Sequence, residues 1–297
     1  MRSLKLLIRD LEPRLARQTA LVRVIAFIGL LAMLWAPVAL LIYGFGAYLK
    51  TEALASTLAL VVLYVWFILL LRRWGRGVNR WAHPLAHCGL RGASRFAINA
   101  VQAMAVGAGA VWGLFGIETL LGWAVPQMPG WSLVWIALEG MLVAVGIGFA
   151  EELFFRGWLL SELERDYSPS LALLLNALIF AIAHFIKPLP DIIRTSPQFL
   201  GLVILGMALV WARRIPTGNR WQRNRTNLGL SMGLHAGLVW GYYVIDVGDL
   251  TQMTGQVPAW VTGIDGNPLA GMVGLIMLSG LAIKLAQVAG RNDMSKR

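Results

Sequence analysis

Long apolar segments dominate this chain of 297 residues, and they restrict its fold more than any other feature of the sequence. Hydrophobic residues make up 58% of the chain and charged residues 14%, which is too apolar for an ordinary soluble domain. Eight segments can be drawn, and most approach the roughly 20 residues that an α-helix needs to cross a bilayer. They cover, to within a few residues, 24–46, 53–71, 97–124, 131–150, 170–186, 198–212, 227–246 and 268–289.

These segments are continuously apolar and do not alternate between apolar and polar residues. Continuous apolar runs favour membrane helices, whereas alternation over short segments is typical of membrane β-barrels. The sequence therefore predicts an all-α, polytopic membrane helical bundle with about eight transmembrane helices. We expect a multi-pass integral membrane protein, in the cell membrane or in an internal membrane. The fifth and sixth segments are the shortest.

The basic residues are distributed unevenly along this arrangement. Of 26 Lys and Arg residues, only Lys50, Lys187 and Arg194 fall on one side of the eight predicted helices. An excess of Lys and Arg is typical of cytoplasmic loops, so both termini are predicted to be cytoplasmic. The net charge of +11 is then explained by topology and by contact with the lipid bilayer. Nucleic acid is not an expected partner.

The same pattern predicts three regions. Residues 1–23 carry Arg and Lys among leucines, which indicates a basic amphipathic cytoplasmic segment on the inner leaflet. Residues 24–290 form the transmembrane domain. Residues 291–297 form a basic cytoplasmic tail.

A few ionisable side chains interrupt the apolar segments. Glu151 and Glu152 directly follow the fourth segment, while His184 and His235 lie in the fifth and the seventh. Charged or titratable groups at membrane depth are costly, so a functional role is the default hypothesis for them.

The two adjacent glutamates are predicted to have different tasks. Glu152 and Arg156 are four residues apart with the acid first, the favourable order for an ion pair on a helix. Glu151 lies about 100° away around the helix, which leaves it free to act as a general base. The alternative is an ion pair at the membrane boundary, with Glu151 reaching water.

Each histidine shares a helix face with other polar or aromatic residues. The two faces are Asn176, Phe180 and His184 in the fifth segment, and Asn227, Ser231 and His235 in the seventh. Alone, each histidine is more typical of hydrogen-bonded structure than of catalysis. Together with the acidic pair, they predict one polar cavity. There Glu151 and one imidazole would hold a water, and the second imidazole would donate to a developing oxyanion.

The seventh segment also carries glycines four residues apart. They are Gly229, Gly233, Gly237 and Gly241. This spacing predicts one face on which a neighbouring backbone can approach closely. His235 lies about 200° from that face and is expected to point away from it. At the eighth segment, Asn267 is predicted to cap the helix, with Pro268 in its first position.

At these residues the chain resembles the CPBP family of intramembrane proteases, also called the Abi family, which includes the Ras-converting CAAX endopeptidases. The motifs of that family are Glu-Glu-x-x-x-Arg, then Phe-x-x-x-His, then His-x-x-x-Asn or a variant of it. The matching positions are Glu151, Glu152 and Arg156, then Phe180 and His184, then His235. Val239 stands where the family often has asparagine. The resemblance covers roughly residues 100 to 250.

The resemblance implies that a glutamate-activated water hydrolyses a peptide bond inside the membrane. The substrate would be a membrane-associated peptide or protein, with prenylated CAAX-type substrates among the candidates. Glu151 would be the general base and His184 would help to hold the water. Glu152 and Arg156 would orient the site, and His235 would stabilise the oxyanion.

No cofactor is expected for this mechanism. The alternative is a divalent metal such as zinc, which two histidines and a glutamate can bind. The departure at Val239 removes a donor, and such a loss commonly costs about 10²–10³ in rate. Ser231 or Asn176 could compensate, or the chain could be slow or inactive as a protease.

Two functions of other classes remain open. One is a non-catalytic membrane scaffold that binds partners and retains these residues as a structural polar core. The other is a proton-coupled transporter in which Glu151 and the histidines form a relay.

Overall fold

The structure, a computed structural model, describes residues 12–217 and 226–294, the last four by their backbone only. Residues 1–11 of the predicted amphipathic segment lie outside this description, as do residues 295–297 of the predicted tail. Three arginines of a predicted cytoplasmic loop, Arg220, Arg223 and Arg225, also lie outside it. The boundaries of the three predicted regions, at residues 23 and 290, stay predictions.

Of the residues that the structure describes, 78% are helical, so this part of the chain is nearly all-α, as predicted. The longer helices are α1 (Ala20–Tyr48), α2 (Glu52–Gly77), α3 (Ala93–Leu120), α4 (Leu133–Glu152), α5 (Pro169–Ala183), α6 (Leu189–Thr195), α7 (Phe199–Arg214), α8 (Gly229–Asp246) and α9 (Met272–Met294). A π-helix, Leu153–Leu159, follows α4, and Leu160–Glu164 resumes the α-helix. Short helices lie at Pro84–His87, Ser196–Gln198, Ala259–Thr262, Ile264–Gly266 and Pro268–Ala270.

One small sheet interrupts this helical structure. Its strands are β1 (Ala124–Pro126) and β2 (Thr251–Met253), which pair antiparallel with Val125 opposite Gln252. They tie the segment after α3 to the segment after α8.

Within residues 12–217 and 226–294, six helical segments are long and apolar enough to span a membrane. They are Ala20–Tyr48, Glu52–Gly77, Ala93–Leu120, Leu133–Glu164, Leu189–Arg214 and Met272–Gly290. The predicted count of eight and the cytoplasmic position of both termini stay predictions. Helix α5 has only 15 residues, a rise of about 22 Å against a hydrocarbon thickness of about 30 Å.

The described residues form two compact units, and the first consists of residues 12–88 and 161–167. Its core contains Phe27, whose ring lies edge-on to Trp74 at a centroid distance of 5.3 Å. The buried carboxylate of Glu162 accepts hydrogen bonds from Arg23 Nε and Trp74 Nε1, each at 2.8 Å, and from Asn79 Nδ2. This charge is acceptable in an apolar core because it is both paired and hydrogen-bonded.

The second unit consists of residues 89–160 and 168–294, and α8 lies beside α3 within it. The predicted glycine face is confirmed. A Cβ atom at Gly229 would lie 2.5 Å from the carbonyl oxygen of Phe96, and one at Gly233 would overlap that of Ala100. The contacts advance in the same direction along both helices. Helices α3 and α8 therefore run parallel, and both begin at the same end of this unit.

Helix α4 packs against another face of α8 in the opposite direction. Gly140 of α4 lies at the ring of Tyr243, while Gly148 faces the backbone of Met232. The last residues of α4 therefore lie alongside the first half of α8. Through this packing, Glu152 and His235 meet.

Helices α5 and α7 run antiparallel in the same unit. Arg214 donates to the carbonyl oxygen of Pro169 at 2.7 Å, and a Cβ atom at Gly206 would lie 2.9 Å from the Cα atom of Ala177. This pairing fixes the end of α5, where His184 lies.

We expect Gly233→Ala to destabilise the protein, because the added Cβ atom would overlap a backbone carbonyl that cannot rotate away. Overpacking of this kind typically costs about 1–3 kcal/mol. Gly116→Ala on α3 is the matched control, since nothing lies within 4 Å of a Cβ atom there. Removing a helical glycine at that position should stabilise by up to about 1 kcal/mol. Thermal unfolding in detergent micelles measures both, and equal midpoints for the two variants would contradict the described helix contact.

Candidate functional site

The two adjacent glutamates are the last residues of α4, immediately before the π-helix. Such π-helical insertions occur frequently at functional sites. Glu152 is the last residue of α4 and Arg156 lies in the π-helix. Their side chains contact each other across this change of helix type. The sequence predicted the pair but not the π-helix that carries the arginine.

The ion pair between Glu152 and Arg156 is completely buried. Arg156 Nη1 donates to Glu152 Oε1 at 2.8 Å, and neither side chain has any exposed surface. Arg156 Nη2 donates to the carbonyl oxygen of Gly206 at 3.3 Å. The guanidinium also lies over the ring of Phe180, 4.2 Å from its centroid, a favourable cation–π position. One arginine thus connects the π-helix with α5 and α7.

His235 approaches the same carboxylate from α8. Its Nδ1 atom lies 3.0 Å from Glu152 Oε1, and its side chain is 5% exposed. A carboxylate that already accepts from Arg156 is an acceptor, so His235 donates from Nδ1. In the neutral imidazole, Nε2 is then the acceptor.

His184 follows the last residue of α5 and is oriented by its own helix. Its Nδ1 atom lies 2.8 Å from the carbonyl oxygen of Phe180. Because a carbonyl can only accept, His184 also donates from Nδ1 and presents Nε2 as an acceptor.

The two imidazoles converge on Glu151. His184 Nε2 and His235 Nε2 each lie 3.9 Å from Glu151 Oε2. This oxygen is buried and has no hydrogen-bond partner among the described residues. A separation of 3.9 Å is too long for a direct hydrogen bond and suits a bridging water. Three acceptors around one space favour a molecule that donates two protons, as water does.

The site is partly open to its surroundings. The side chains of Glu151 and His184 are 30% and 32% exposed, whereas Glu152 and Arg156 are enclosed. The geometry therefore separates an accessible carboxylate from a buried one, as the helical spacing predicted. All five predicted site residues lie together in the second unit.

The polar neighbours of the histidines support the backbone. Asn176 Nδ2 donates to the carbonyl oxygen of Phe155 at 2.7 Å, and Ser231 Oγ donates to that of Leu228 at 3.2 Å. The amide of Asn176 is thus directed at a carbonyl group, and the hydroxyl of Ser231 serves the carbonyl group of Leu228 and the buried carboxylate of Glu152. This arrangement gives no support to the expectation that either replaces the donor missing at Val239.

Val239 and His235 line a cavity of about 140 Å³. Most of its wall is aliphatic, from α3, α7, α8 and α9. Its remaining polar side chains are Tyr242 and Asn267. The sequence predicted only a capping role for Asn267, and no sequence signal places it beside His235.

The zinc alternative does not fit the side-chain arrangement. Zinc is held by nitrogen and oxygen ligands at about 2.0–2.2 Å. Among residues 12–217 and 226–290, no group of three or more His, Cys, Asp or Glu side chains is placed to hold a metal ion.

A family model described as Type II CAAX prenyl endopeptidase Rce1-like matches residues 129–241. This segment is more than a third of the chain and includes all the motif positions from Glu151 to Val239. The resemblance predicted from the motifs is confirmed for this segment. Together with the six apolar helices, the match identifies a multi-pass integral membrane protein. No curated protein and no solved structure matches the chain.

We expect Glu152→Gln to destabilise the protein much more than Glu151→Gln. The first variant leaves the buried charge of Arg156 without its partner, which typically costs about 3–5 kcal/mol. The second changes a partly exposed side chain whose Oε2 atom has no direct hydrogen bond to a described residue, so its effect should be below about 1 kcal/mol. Thermal unfolding in detergent micelles compares the two isosteric changes, and similar losses of stability would contradict the assigned burial.

Proposed function

We propose, from the Rce1-like match of residues 129–241, that this protein is an intramembrane endopeptidase with Glu151 as its general base. The observation that carries the proposal is the convergence of two histidine Nε2 atoms on Glu151 Oε2. A buried ion pair holds one of these histidines in position.

The reaction follows from the protons available at this site. Water bridges Glu151 and one Nε2 atom, and Glu151 accepts one of its protons. The water oxygen bonds to the carbonyl carbon of the scissile peptide, and negative charge develops on the carbonyl oxygen. The C–N bond then breaks as Glu151 returns the proton to the leaving nitrogen. A general base placed in this way typically contributes about 10²–10⁴ in rate.

The remaining residues position these groups. Phe180 O fixes the ring of His184, so that its Nε2 atom can accept from the water. Glu152 fixes the ring of His235 and supports a positive charge on it. His235 stabilises the oxyanion when both of its nitrogens carry protons. Arg156 neutralises Glu152 and keeps it in place.

The proposed substrate is a membrane-associated peptide or protein, prenylated at a CAAX-type C-terminus. The description of the matching family supports this class. The partial exposure of Glu151 and His184 supports access for an extended peptide. The aliphatic cavity beside His235 can receive an apolar group of such a substrate.

We expect Glu151→Gln to lower the rate of cleavage by about 10²–10⁴, because it removes the proton acceptor. The measurement is hydrolysis of a farnesylated CAAX-terminated peptide by the purified protein in lipid vesicles. Glu139→Gln is the matched control, since Glu139 is an exposed carboxylate on the same helix. It should leave the rate unchanged.

The same assay tests the rival functions. A scaffold would show no cleavage by the unmodified protein, and a transporter would require a proton gradient across sealed vesicles. Cleavage that is independent of a gradient and lost in Glu151→Gln alone supports the protease.

We expect chelators to leave cleavage unchanged within about twofold, because the steps above use only protons and hydrogen bonds. The measurement compares rates before and after treatment with a zinc chelator. Loss of activity that added zinc restores would contradict the metal-free mechanism. Calcium-loaded chelator is the control for effects of the reagent itself.

A further inference from the structure

The proposed reaction places His235 at the oxyanion, and the third motif supplies no second N–H donor beside it. A developing oxyanion is stabilised by donors placed in advance at its position. Val239, one turn after His235, has an apolar side chain and lines the cavity. His235 already donates from Nδ1 to Glu152, and in its neutral form it has no second N–H.

The other polar side chains near His235 are directed elsewhere. Ser231 and Asn176 donate to backbone carbonyls. Tyr242 lines the same cavity as His235, but its hydroxyl donates to Asp246 Oδ1 at 3.3 Å. Asn267 is the remaining polar residue of the described cavity wall.

The hydrogen bond of Asn267 determines which end of its amide is available. Asn267 Oδ1 accepts from the backbone N–H of Leu269 at 2.9 Å. An asparagine amide has one oxygen acceptor and one NH₂ group. The NH₂ group therefore forms the other end of the amide, and it has no protein partner among the described residues. Asn267 therefore lines the cavity and offers an N–H donor, which the side chain of Val239 cannot do.

The segment that carries Asn267 is held by two helices. A Cβ atom at Gly201 of α7 would lie 2.5 Å from the carbonyl oxygen of Leu269, and one at Gly274 of α9 would overlap that of Pro268. These glycines let the 3₁₀ turn Pro268–Ala270 pack directly onto both helices. The turn is thereby fixed, and a donor on a fixed segment needs little reorganisation during reaction.

We propose that Asn267 supplies the oxyanion donor that is missing at Val239. This inference rests on the proposed endopeptidase function and adds a catalytic residue from the segment before α9. It places the donor in the lining of the cavity to which His235 and Val239 also contribute.

The test is Asn267→Asp, which retains the oxygen that accepts from Leu269 and replaces the NH₂ group with a second oxygen. We expect kcat for a farnesylated CAAX-terminated peptide in lipid vesicles to fall by about 10²–10³. KM should change by less than about threefold, since the donor acts mainly in the transition state. The midpoint of thermal unfolding should not change, because the cap is kept.

Two further variants separate the donor from charge and from capping. Asn267→Ala loses both the donor and the cap without adding charge, so its kcat should fall as far as that of Asn267→Asp. Val239→Asn in the Asn267→Ala background returns an amide to the same cavity and should restore at least tenfold of the lost rate. If Asn267 were only a cap, an asparagine at position 239 on α8 would not restore the rate.

These outcomes separate the role of Asn267 from the proposed endopeptidase function. Wild-type cleavage together with unchanged kcat in Asn267→Asp would overturn the role of Asn267 and leave the proposed function standing. Absence of rescue by Val239→Asn in a folded double variant would also overturn that role. Absence of cleavage by the unmodified protein would overturn the endopeptidase function and the inference with it.

Discussion

The buried ion pair between Glu152 and Arg156 is the interaction on which the candidate site depends. Neither charge has access to solvent, so each requires the other. The pair lies where α4 becomes a π-helix, and its partners come from three further helices: Phe180 on α5, Gly206 on α7 and His235 on α8. These helices are joined at one point by charge and hydrogen bonds, and apolar packing alone would not specify that point.

The same pair divides the work between two adjacent glutamates. Glu152 is used entirely inside the protein, and its acceptor oxygen sets the proton of His235 on Nδ1. Glu151, about 100° further around the helix, is left with two Nε2 acceptors and an unpartnered oxygen. A structural ion pair alone would need only one of these carboxylates. The second carboxylate, with both imidazoles directed at it, argues for a site that binds and deprotonates water.

Local periodicity in the sequence was sufficient to predict several of these features. The spacing of Glu152 and Arg156 predicted their ion pair, and four-residue glycine spacing predicted the face of α8 that packs on α3. The π-helix could not be predicted, because it depends on how α4 meets its neighbours. The length of α5 was also not predicted, since this helix ends after 15 residues within an apolar segment. The role of Asn267 depends on packing against residues of α7 far away in sequence.

With valine at position 239, the two proposed donors lie on different structural elements. Two groups that are one turn apart on the same helix keep their relative position only if that helix stays rigid. His235 and Asn267 instead lie on different elements, and each is fixed separately. His235 is held by the buried ion pair, and Asn267 by a capped turn packed on Gly201 and Gly274. In the proposed reaction, the aliphatic residues around Val239 can contact an apolar substrate group without displacing either donor, because the two elements are fixed independently. An apolar residue at position 239 is compatible with that proposal, since the proposed second donor lies on a different element.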